Sequence, residues 1–286
     1  MSVYYLDPLS ALGINILLGL SVYSPMATGQ LSLGNAGFMA IGAYVSAILT
    51  VHLHLPLFPS LVTAGVIAGI FGILVGFPAL RLRGVFLAMA TLGFGEIVRN
   101  FFMNFLSPVT GGAYGFRGIG DTPISILWIW SWVIFFLIFF FFLYRSRLGL
   151  TMLATHDDDT VSELIGINIV LLKIGAFGLG AFVAGVAGGL HAHYYLYTEP
   201  EFFNVWKSIH MVLFVIMGGM LTFWGGVFGA GVFTLLPEFL RFLHDWRGAF
   251  FGVIIIGIMI ARPYGLLTRE ILRFDFWLPG QRERRL

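Results

Sequence analysis

The sequence predicts an all-α membrane protein that crosses the bilayer many times. Hydrophobic residues make up 58% of the 286 residues, charged residues make up 10%, and the mean hydropathy is +0.92. Soluble domains average about 25% charged residues, so this chain lacks the polar side chains that would cover a globular surface in water. The 30 Phe residues exclude a disordered chain, because disordered segments are poor in aromatic residues.

Apolar segments of the length that a transmembrane helix needs, about 20 residues, recur along the whole chain. We place them at residues 9–27, 36–53, 57–80, 85–105, 125–144, 169–196, 208–242 and 249–260. The segment 208–242 is too long for one simple span, and its pairs Gly218-Gly219 and Gly225-Gly226 predict a break into two shorter helices. We therefore expect about eight or nine transmembrane or broken membrane helices in a single domain over residues 1–286.

Basic residues in short loops predict which ends of the segments face the cytoplasm. They cluster after the third segment, after the fifth segment and near the C-terminus: Arg81, Arg83, Arg145, Arg147, Arg262, Arg269, Arg273, Arg282, Arg284 and Arg285. Placing all three clusters in the cytoplasm puts the N-terminus outside, provided that 208–242 crosses twice. The tail 263–286 is then cytoplasmic. Arg241 and Arg247 depart from the pattern, because this topology places them on the outer side of the membrane.

Several chemical functions are excluded by what the sequence lacks. The chain has no Cys, and its only lysines, Lys173 and Lys207, do not belong to the G-K-[ST] element of a phosphate-binding loop. Neither a G-x-S-x-G nor an H-E-x-x-H motif occurs, so the sequence offers no enzyme site. No basic run is long enough for nucleic-acid binding. We expect no enzymatic activity and no cofactor bound by this chain.

Two H-x-H pairs, His52 with His54 and His191 with His193, are the nearest approach to a metal site. Alternate residues on a helix point apart, so neither pair can supply two ligands to one metal unless its backbone is extended. No Cys or carboxylate cluster lies nearby in sequence to complete a ligand set. We therefore expect no metal site.

One internal segment, residues 145–168 (RSRLGLTMLATHDDDTVSELIGIN), is both polar and helix-like. The acidic run 157–159 suits a helix N-terminus, and Gly166 is placed to end the helix. Val161, Leu164 and Ile165 recur at helical spacing between them. This pattern predicts a short amphipathic helix outside the bilayer, which could lie on lipid or dock into a groove of another protein. A solvated connecting loop is the alternative.

Polar or glycine-rich interruptions of the apolar segments are candidate linings of a translocation pathway. Backbone polar groups at membrane depth must be satisfied inside the protein or at a water-filled cavity. The candidates are Gln30, Ser32, Asn35, Thr91, Phe94, Glu96, Gly218 and Gly219. Close helix packing through small residues is the alternative for most of the glycines.

Glu96 is the most distinctive of these candidates, because an ionisable group within a span is costly unless it is paired or hydrated. Arg99 lies three residues further along, on the same helical face. Glu96 could face the pathway and position a substrate ammonium. It could instead have a structural role, as an ion pair with Arg99 or as an anchor of an interhelical contact, and we favour the structural role. Lys173, near the start of its segment, is expected to reach the membrane surface and is assigned no role.

Short motifs over nearly the whole chain resemble, in the same order, the LivM-type permeases of branched-chain amino acid ATP-binding cassette (ABC) importers. They are 29–38 (GQLSLGNAGF), 41–44 (IGAY), 80–84 (LRLRG), 90–99 (ATLGFGEIVR), 110–112 (TGG), 146–149 (SRLG), 164–168 (LIGIN), 218–219 (GG) and 261–267 (ARPYGLL). The resemblance implies a permease subunit that forms half of a pathway for branched-chain or other neutral amino acids. Urea and amide permeases share much of the pattern, and a secondary transporter acting alone, with Glu96 and Arg99 in ion coupling, is a further alternative.

The resemblance also implies a coupling role for the polar segment. In ABC importers a cytoplasmic permease helix with a loose Glu-Ala-Ala, gap, Gly pattern sits in a cleft of the ATP-binding subunit. Residues 159–166 look like a divergent version in which the Glu-Ala-Ala triplet is missing. The residues implied in coupling are Asp157, Asp158, Asp159, Ser162, Glu163, Leu164 and Gly166.

The implied partners are a second, LivH-like permease, two ATP-binding cassette subunits that carry ATP and Mg, and a periplasmic or lipid-anchored substrate-binding protein. The implied location is the cytoplasmic (inner) membrane of a bacterium or archaeon. The loop 198–207, with Glu199 and Glu201, is a candidate docking surface for the binding protein, and a solvated loop is the alternative.

Overall fold

The computed structural model describes residues 2–82, 84–120, 123–241, 246–262 and 265–266. Nine longer helices carry most of the described chain: α1 (Ser2–Met26), α2 (Asn35–Leu53), α3 (Leu57–Ala79), α4 (Val85–Asn100), α6 (Ile126–Arg145), α9 (Ile169–Tyr195), α10 (Val205–Gly218), α11 (Phe223–Phe239) and α12 (Arg247–Ala261). Three shorter helices are α5 (Ser107–Thr110), α7 (Arg147–Asp157) and α8 (Asp159–Leu164). The predicted all-α membrane architecture is confirmed.

A π-helical turn, Phe101–Phe105, continues α4, and 3-10 turns occur at Gly112–Tyr114 and Pro200–Phe203. Two very short strands, β1 (Phe116–Arg117) and β2 (Tyr197–Thr198), pair antiparallel with Phe116 opposite Thr198. This ribbon joins the connection between α5 and α6 to the connection between α9 and α10.

The count of eight or nine membrane segments that hydropathy suggested is not confirmed. Within the described residues, six helices are long and apolar enough to cross a membrane: Asp7–Met26, Asn35–Leu53, Leu57–Ala79, Val85–Phe105, Ile126–Arg145 and Ile169–Tyr195. The pair α10 and α11 adds a seventh if the two count as one broken span. The 15 residues of α12 fall short of the roughly 20 that a full crossing needs.

The predicted break in the segment 208–242 is present, because the chain bends by 118° between α10 and α11. Gly219 sits between them with φ of +122°, a backbone conformation that favours glycine. A methyl group on Gly218 would overlap the backbone of Gly225 across the bend. The break therefore depends on glycine both for its conformation and for its close approach.

Helix α9 is the central element, and small residues bring the backbones of its neighbours against it. A methyl group on Gly42 of α2 would overlap the backbone of Gly185, and one on Gly72 of α3 would overlap the Ala181 side chain. These contacts use the stripe of Gly and Ala along α9, where large side chains would hold the helices apart. The sequence reading of most glycines as packing residues fits this arrangement.

Helix α1 connects α9 to the broken pair. The Ser24 hydroxyl donates a hydrogen bond of 2.7 Å to the backbone oxygen of Ala176 in α9. On the other side, the Asn15 side-chain amide donates a 2.9 Å hydrogen bond to Thr234 of α11, and Gly19 lies against Gly226. Helices α1, α2, α3, α9, α10 and α11 therefore form one packed bundle.

The connections gather at two ends of this bundle. At one end, called the α8 end, the loop 27–34 lies beside α7 and α8, since Gly29 approaches the His156 backbone. At the other, called the ribbon end, β1 pairs with β2. The antiparallel packing of α3 on α9 puts Arg81 at the α8 end, together with Arg145 and Arg147. Two of the three basic clusters therefore lie at one end of the bundle, and the placement of this end in the cytoplasm stays a prediction. Residues outside the described part of the chain include Arg83, Arg269, Arg273, Arg282, Arg284 and Arg285.

Large apolar side chains remain exposed on the outside of α3, α4 and α6, among them Phe77, Phe86, Met89, Ile97, Leu127 and Phe142. In water such a surface would drive aggregation. It suits lipid or another apolar subunit, as expected of a multi-pass membrane protein.

We predict that Gly42→Ala lowers the free energy of unfolding by about 1–3 kcal/mol, because the new methyl group meets the backbone of Gly185, which cannot rotate away. The measurement is denaturant unfolding of the purified protein in micelles. Gly175→Ala in α9 is the matched control, since nothing lies within 4 Å of the added methyl group. Equal stability of the two variants would contradict the assigned packing role.

Candidate coupling and translocation sites

The polar segment 145–168 folds as two short helices rather than the single one expected. Asp157 ends α7, and Asp158 caps α8: its Oδ1 accepts hydrogen bonds from the backbone N–H groups of Thr160 at 2.8 Å and Val161 at 3.2 Å. Sequence reasoning missed α7. The signal for the start of α7 was Ser146, an N-cap residue whose hydroxyl accepts a hydrogen bond from the Gly149 N–H.

Helix α8 presents its apolar side chains outward. Leu164 is 83% exposed and Ile165 is 75% exposed, and Val161 is half exposed. Ser162 alone among the residues of α8 is buried, and Glu163 is exposed beside Leu164. Gly166 ends the turn with φ of +90°. A short helix outside the long apolar spans thus carries an uncovered apolar surface with an acid on its edge, as a docking helix does.

An ion pair ties α8 to the membrane bundle. The Lys173 ammonium in the first turns of α9 lies 2.6 Å from the Asp159 carboxylate, and both side chains are largely shielded from solvent. Lys173 had no assigned role in the sequence reading. The available signal was a lone lysine inside an apolar segment, a short distance after an acidic run.

A cavity of about 300 Å³ opens beside this ion pair. Its lining residues are Thr28, Gly29, Thr155, His156, Asp157, Asp158, Asp159, Thr160 and Lys173. Three carboxylates against one ammonium make this wall acidic, and a basic side chain of a partner would find complementary charge there. The structure therefore brings Asp157, Asp158 and Asp159 together next to the exposed face of α8.

The candidate pathway residues between the end of α1 and the start of α2 are buried and hydrogen-bonded within the chain. Gln30, Ser32 and Asn35 are each at most 3% exposed. The Asn35 amide donates a 2.9 Å bond to Ser21 of α1. The Leu33 N–H donates a 2.9 Å bond to the Thr91 hydroxyl of α4. These bonds give the loop a packing role, and contact between these residues and cargo stays a prediction.

Phe94 packs against Phe38 of α2, with ring centroids 5.0 Å apart. Next to it, Gly37 of α2 lies against Gly95 of α4. Phe94 thus helps to close the contact between α2 and α4. Gly218 and Gly219 form the bend between α10 and α11 described above.

The favoured ion pair of Glu96 is present. Arg99 Nε lies 3.4 Å from the Glu96 carboxylate, and Arg99 Nη1 lies 3.6 Å from the carboxylate of Glu201 in the 3-10 turn after β2. Arg99 therefore links α4 to the ribbon end. Contact of Glu96 with a substrate stays a prediction.

The two histidine pairs lie in different surroundings: His52 and His54 are exposed, whereas His191 and His193 are buried. His193 Nε2 lies 3.1 Å from the Thr50 hydroxyl, and Nδ1 lies 2.8 Å from the Gly189 oxygen. In the part of the chain that the structure describes, no group of three or more His, Cys, Asp or Glu residues could hold a metal ion.

The ribbon carries its own polar contacts. The Tyr197 hydroxyl donates a 2.8 Å hydrogen bond to Glu199, and this bond raises the pKa of Tyr197 above its ordinary value. The Arg117 guanidinium lies 5.6 Å from the centre of the Tyr197 ring. Glu199 is therefore held by its ribbon neighbour.

We predict that Asp159→Asn and Lys173→Met are coupled by about 0.5–1 kcal/mol in a double-mutant cycle of unfolding free energies, because the two charges interact directly. Asp157→Asn combined with Lys173→Met is the control cycle, since the Asp157 side chain is 78% exposed and pairs with His156. Equal coupling in the two cycles would contradict the assigned tie between α8 and α9.

Comparison with known proteins agrees with the architecture. The family model described as the permease component of the branched-chain amino acid transport system matches residues 4–261. The chain is 31% identical to the high-affinity branched-chain amino acid transport system permease protein LivM of Salmonella typhimurium, covering 92% of this chain and 68% of that protein. LivM of Escherichia coli is 32% identical with the same coverage.

No solved structure matches the chain. The family match covers the bundle from α1 to α12, including the helix pair α7 and α8 and the bend between α10 and α11. The chain therefore belongs to the family of branched-chain amino acid transport permeases, the membrane subunits of ABC transporters.

Proposed function

We propose that this chain is one of two permease subunits of an ABC importer and forms half of the pathway for branched-chain amino acids. The observation that carries the coupling part is α8, whose Leu164 and Ile165 side chains are uncovered outside the spans. The names of the LivM relatives support the cargo. In this proposal α8 docks into a groove of an ATP-binding subunit.

The contacts of α8 explain how movement of that subunit would reach the pathway. Asp159 is bound to Lys173 of α9, so a displacement of α8 pulls on the start of α9. Helix α9 in turn lies in backbone contact with α2 through Gly42 and Gly185. Tightly packed helices shift as rigid bodies rather than deform. ATP binding would therefore tilt a connected group of helices.

In the proposed assembly, partner subunits cover the exposed apolar flank, α8 and the ribbon end. A LivH-like permease covers part of the exposed apolar flank, and two cassette subunits supply ATP and Mg. A periplasmic or lipid-anchored binding protein docks at the ribbon end near Glu199 and Glu201. We place the α8 end in the cytoplasm of a bacterium or archaeon, because the basic loops gather there.

The single permease domain spans residues 1–286, with the coupling segment at 145–168. The proposed cytoplasmic tail, 263–286, lies outside the described residues except for Gly265 and Leu266. The Gly265 N–H donates to the Arg262 oxygen at 3.0 Å, and the Leu266 N–H donates to the Met217 oxygen at 2.9 Å. The start of the tail thus sits against the end of α10.

We predict that Leu164→Asp and Glu163→Arg each reduce co-purification of the ATP-binding subunits and transport-coupled ATP hydrolysis at least about tenfold, because docking helices depend on a few central contacts. Tyr114→Asp is the control for Leu164→Asp. Tyr114 is 84% exposed, as Leu164 is, but lies toward the ribbon end.

Thermal melting of each purified variant shows whether the membrane bundle is intact. If both α8 variants assemble and hydrolyse ATP as the wild type does, α8 is not the coupling element. A secondary transporter acting alone would instead retain uptake in vesicles that contain no ATP-binding subunit.

The cargo is tested by uptake into vesicles that contain the whole complex and its binding protein. We expect ATP-dependent uptake of labelled leucine that unlabelled isoleucine and valine inhibit and urea does not. Uptake of urea without uptake of leucine would support the urea and amide alternative.

A further inference from the structure

A second cavity, of about 520 Å³, lies at the ribbon end of the bundle. Its lining residues come from α1, the end of α9, β2, the turn that follows and the first turn of α10: Ala11, Ile14, Asn15, His191, Tyr195, Tyr197, Thr198, Glu199, Phe202 and Lys207. Pockets for small molecules have volumes of about 300–1,000 Å³. The size and the mixed lining suit a small ligand with an apolar part.

The cavity wall carries one fixed charge of each sign. Lys207 places its ammonium 4.7 Å from the centre of the Phe202 ring, and the Glu199 carboxylate accepts the hydrogen bond from Tyr197. Within the described residues, neither Glu199 nor Lys207 forms an ion pair. The two charges remain available to a molecule that brings its own opposite charges.

Two buried polar atoms on the same wall lack hydrogen-bond partners among the described residues. They are Nδ1 of His191, a residue that is 8% exposed, and the hydroxyl of Thr198, a residue that is 1% exposed. Leaving a buried polar group unpaired is unfavourable, and native proteins rarely do so without a functional reason. Both residues line the cavity, so a polar ligand that reached these atoms would satisfy them.

The rest of the lining is apolar. Ile14 and Ala11 of α1 form one side, and the Phe202 ring stacks on His191 with centroids 4.3 Å apart. Tyr195 lies next to His191, with ring centroids 4.7 Å apart. An aliphatic side chain would be shielded from water against these groups.

We infer that this cavity is an outer binding site for a zwitterionic α-amino acid with an apolar side chain. Lys207 binds the carboxylate and Glu199 binds the ammonium. His191 and Thr198 complete the polar contacts, and Ile14 and Phe202 receive the side chain. The inference rests on the proposed function, because it assigns the proposed cargo a place on this chain.

The charges distinguish this ligand from the alternatives. An uncharged amide such as urea would leave both Glu199 and Lys207 without an opposite charge. A simple cation would be repelled by Lys207, and a simple anion by Glu199. A zwitterion satisfies both.

The test uses the purified complete complex and equilibrium binding of labelled leucine without the binding protein. Competitors are 4-methylpentanoate, which lacks the ammonium, and leucine amide, which lacks the carboxylate. We expect Glu199→Gln and Lys207→Gln each to weaken leucine binding about tenfold, since a charge-assisted contact is lost. The Glu199→Gln complex should also no longer discriminate leucine from 4-methylpentanoate. The Lys207→Gln complex should no longer discriminate leucine from leucine amide.

Glu238→Gln is the matched control, because this carboxylate pairs with Arg241 three residues along the chain and does not line the cavity. A second variant, Ala11→Phe, fills the cavity without changing a charge and should abolish leucine binding. Melting temperature and co-purification of the ATP-binding subunits identify a variant that fails to fold.

The site is refuted if folded Glu199→Gln, Lys207→Gln and Ala11→Phe complexes bind leucine as the wild type does. It is equally refuted if the two charge variants lose leucine and both analogues in parallel. A different result would contradict the proposed function: no ATP-dependent uptake of leucine by the wild-type complex with its binding protein. That result does not depend on the variants.

Discussion

The architecture depends on the close approach of helix backbones along α9, which glycine alone permits. Gly185 faces Gly42 of α2, and Gly188 faces the backbone of Met39. In a lipid environment the hydrophobic effect does little to hold helices together, so van der Waals contact at short distance has to supply the packing energy. The same constraint acts at the bend, where Gly218 meets Gly225. Side chains at these positions would separate the elements that carry the two candidate sites.

Helix α9 also joins those sites physically. Lys173 pairs with Asp159 at the α8 end, and His191 lines the second cavity at the ribbon end. The two residues are 18 positions apart on this helix, a rise of about 27 Å. Between them the helix is packed on α1, α2 and α3 through small residues. In the proposed assembly, this rigid helix with a polar contact at each end would connect the ATP-binding partner to the bound cargo.

Among the described residues, two ion pairs tie separate elements together. Arg99 contacts Glu96 on its own helix and Glu201 on the turn after the ribbon, and Lys173 contacts Asp159. Because unpaired charges are costly in an apolar setting, paired ones stand out as structural. Glu199 and Lys207 differ, since they line one cavity without an ion pair in the described part of the chain. This difference is the basis for the proposed binding role of Glu199 and Lys207.

Composition and local pattern determined the fold class, the positions of the long apolar helices and the glycine break, because each depends on neighbouring residues alone. They also identified the exposed helix at 159–164 through its acidic start and apolar spacing. Tertiary structure decided the rest. The number of full crossings depends on the bend of α10 against α11. Two ion-pair partners lie on other elements, since Lys173 pairs with Asp159 and Arg99 pairs with Glu201. The second cavity, at the ribbon end, is lined by residues that range from Ala11 to Lys207. Hydropathy is a local property and carries no information about contacts between residues so far apart in the chain.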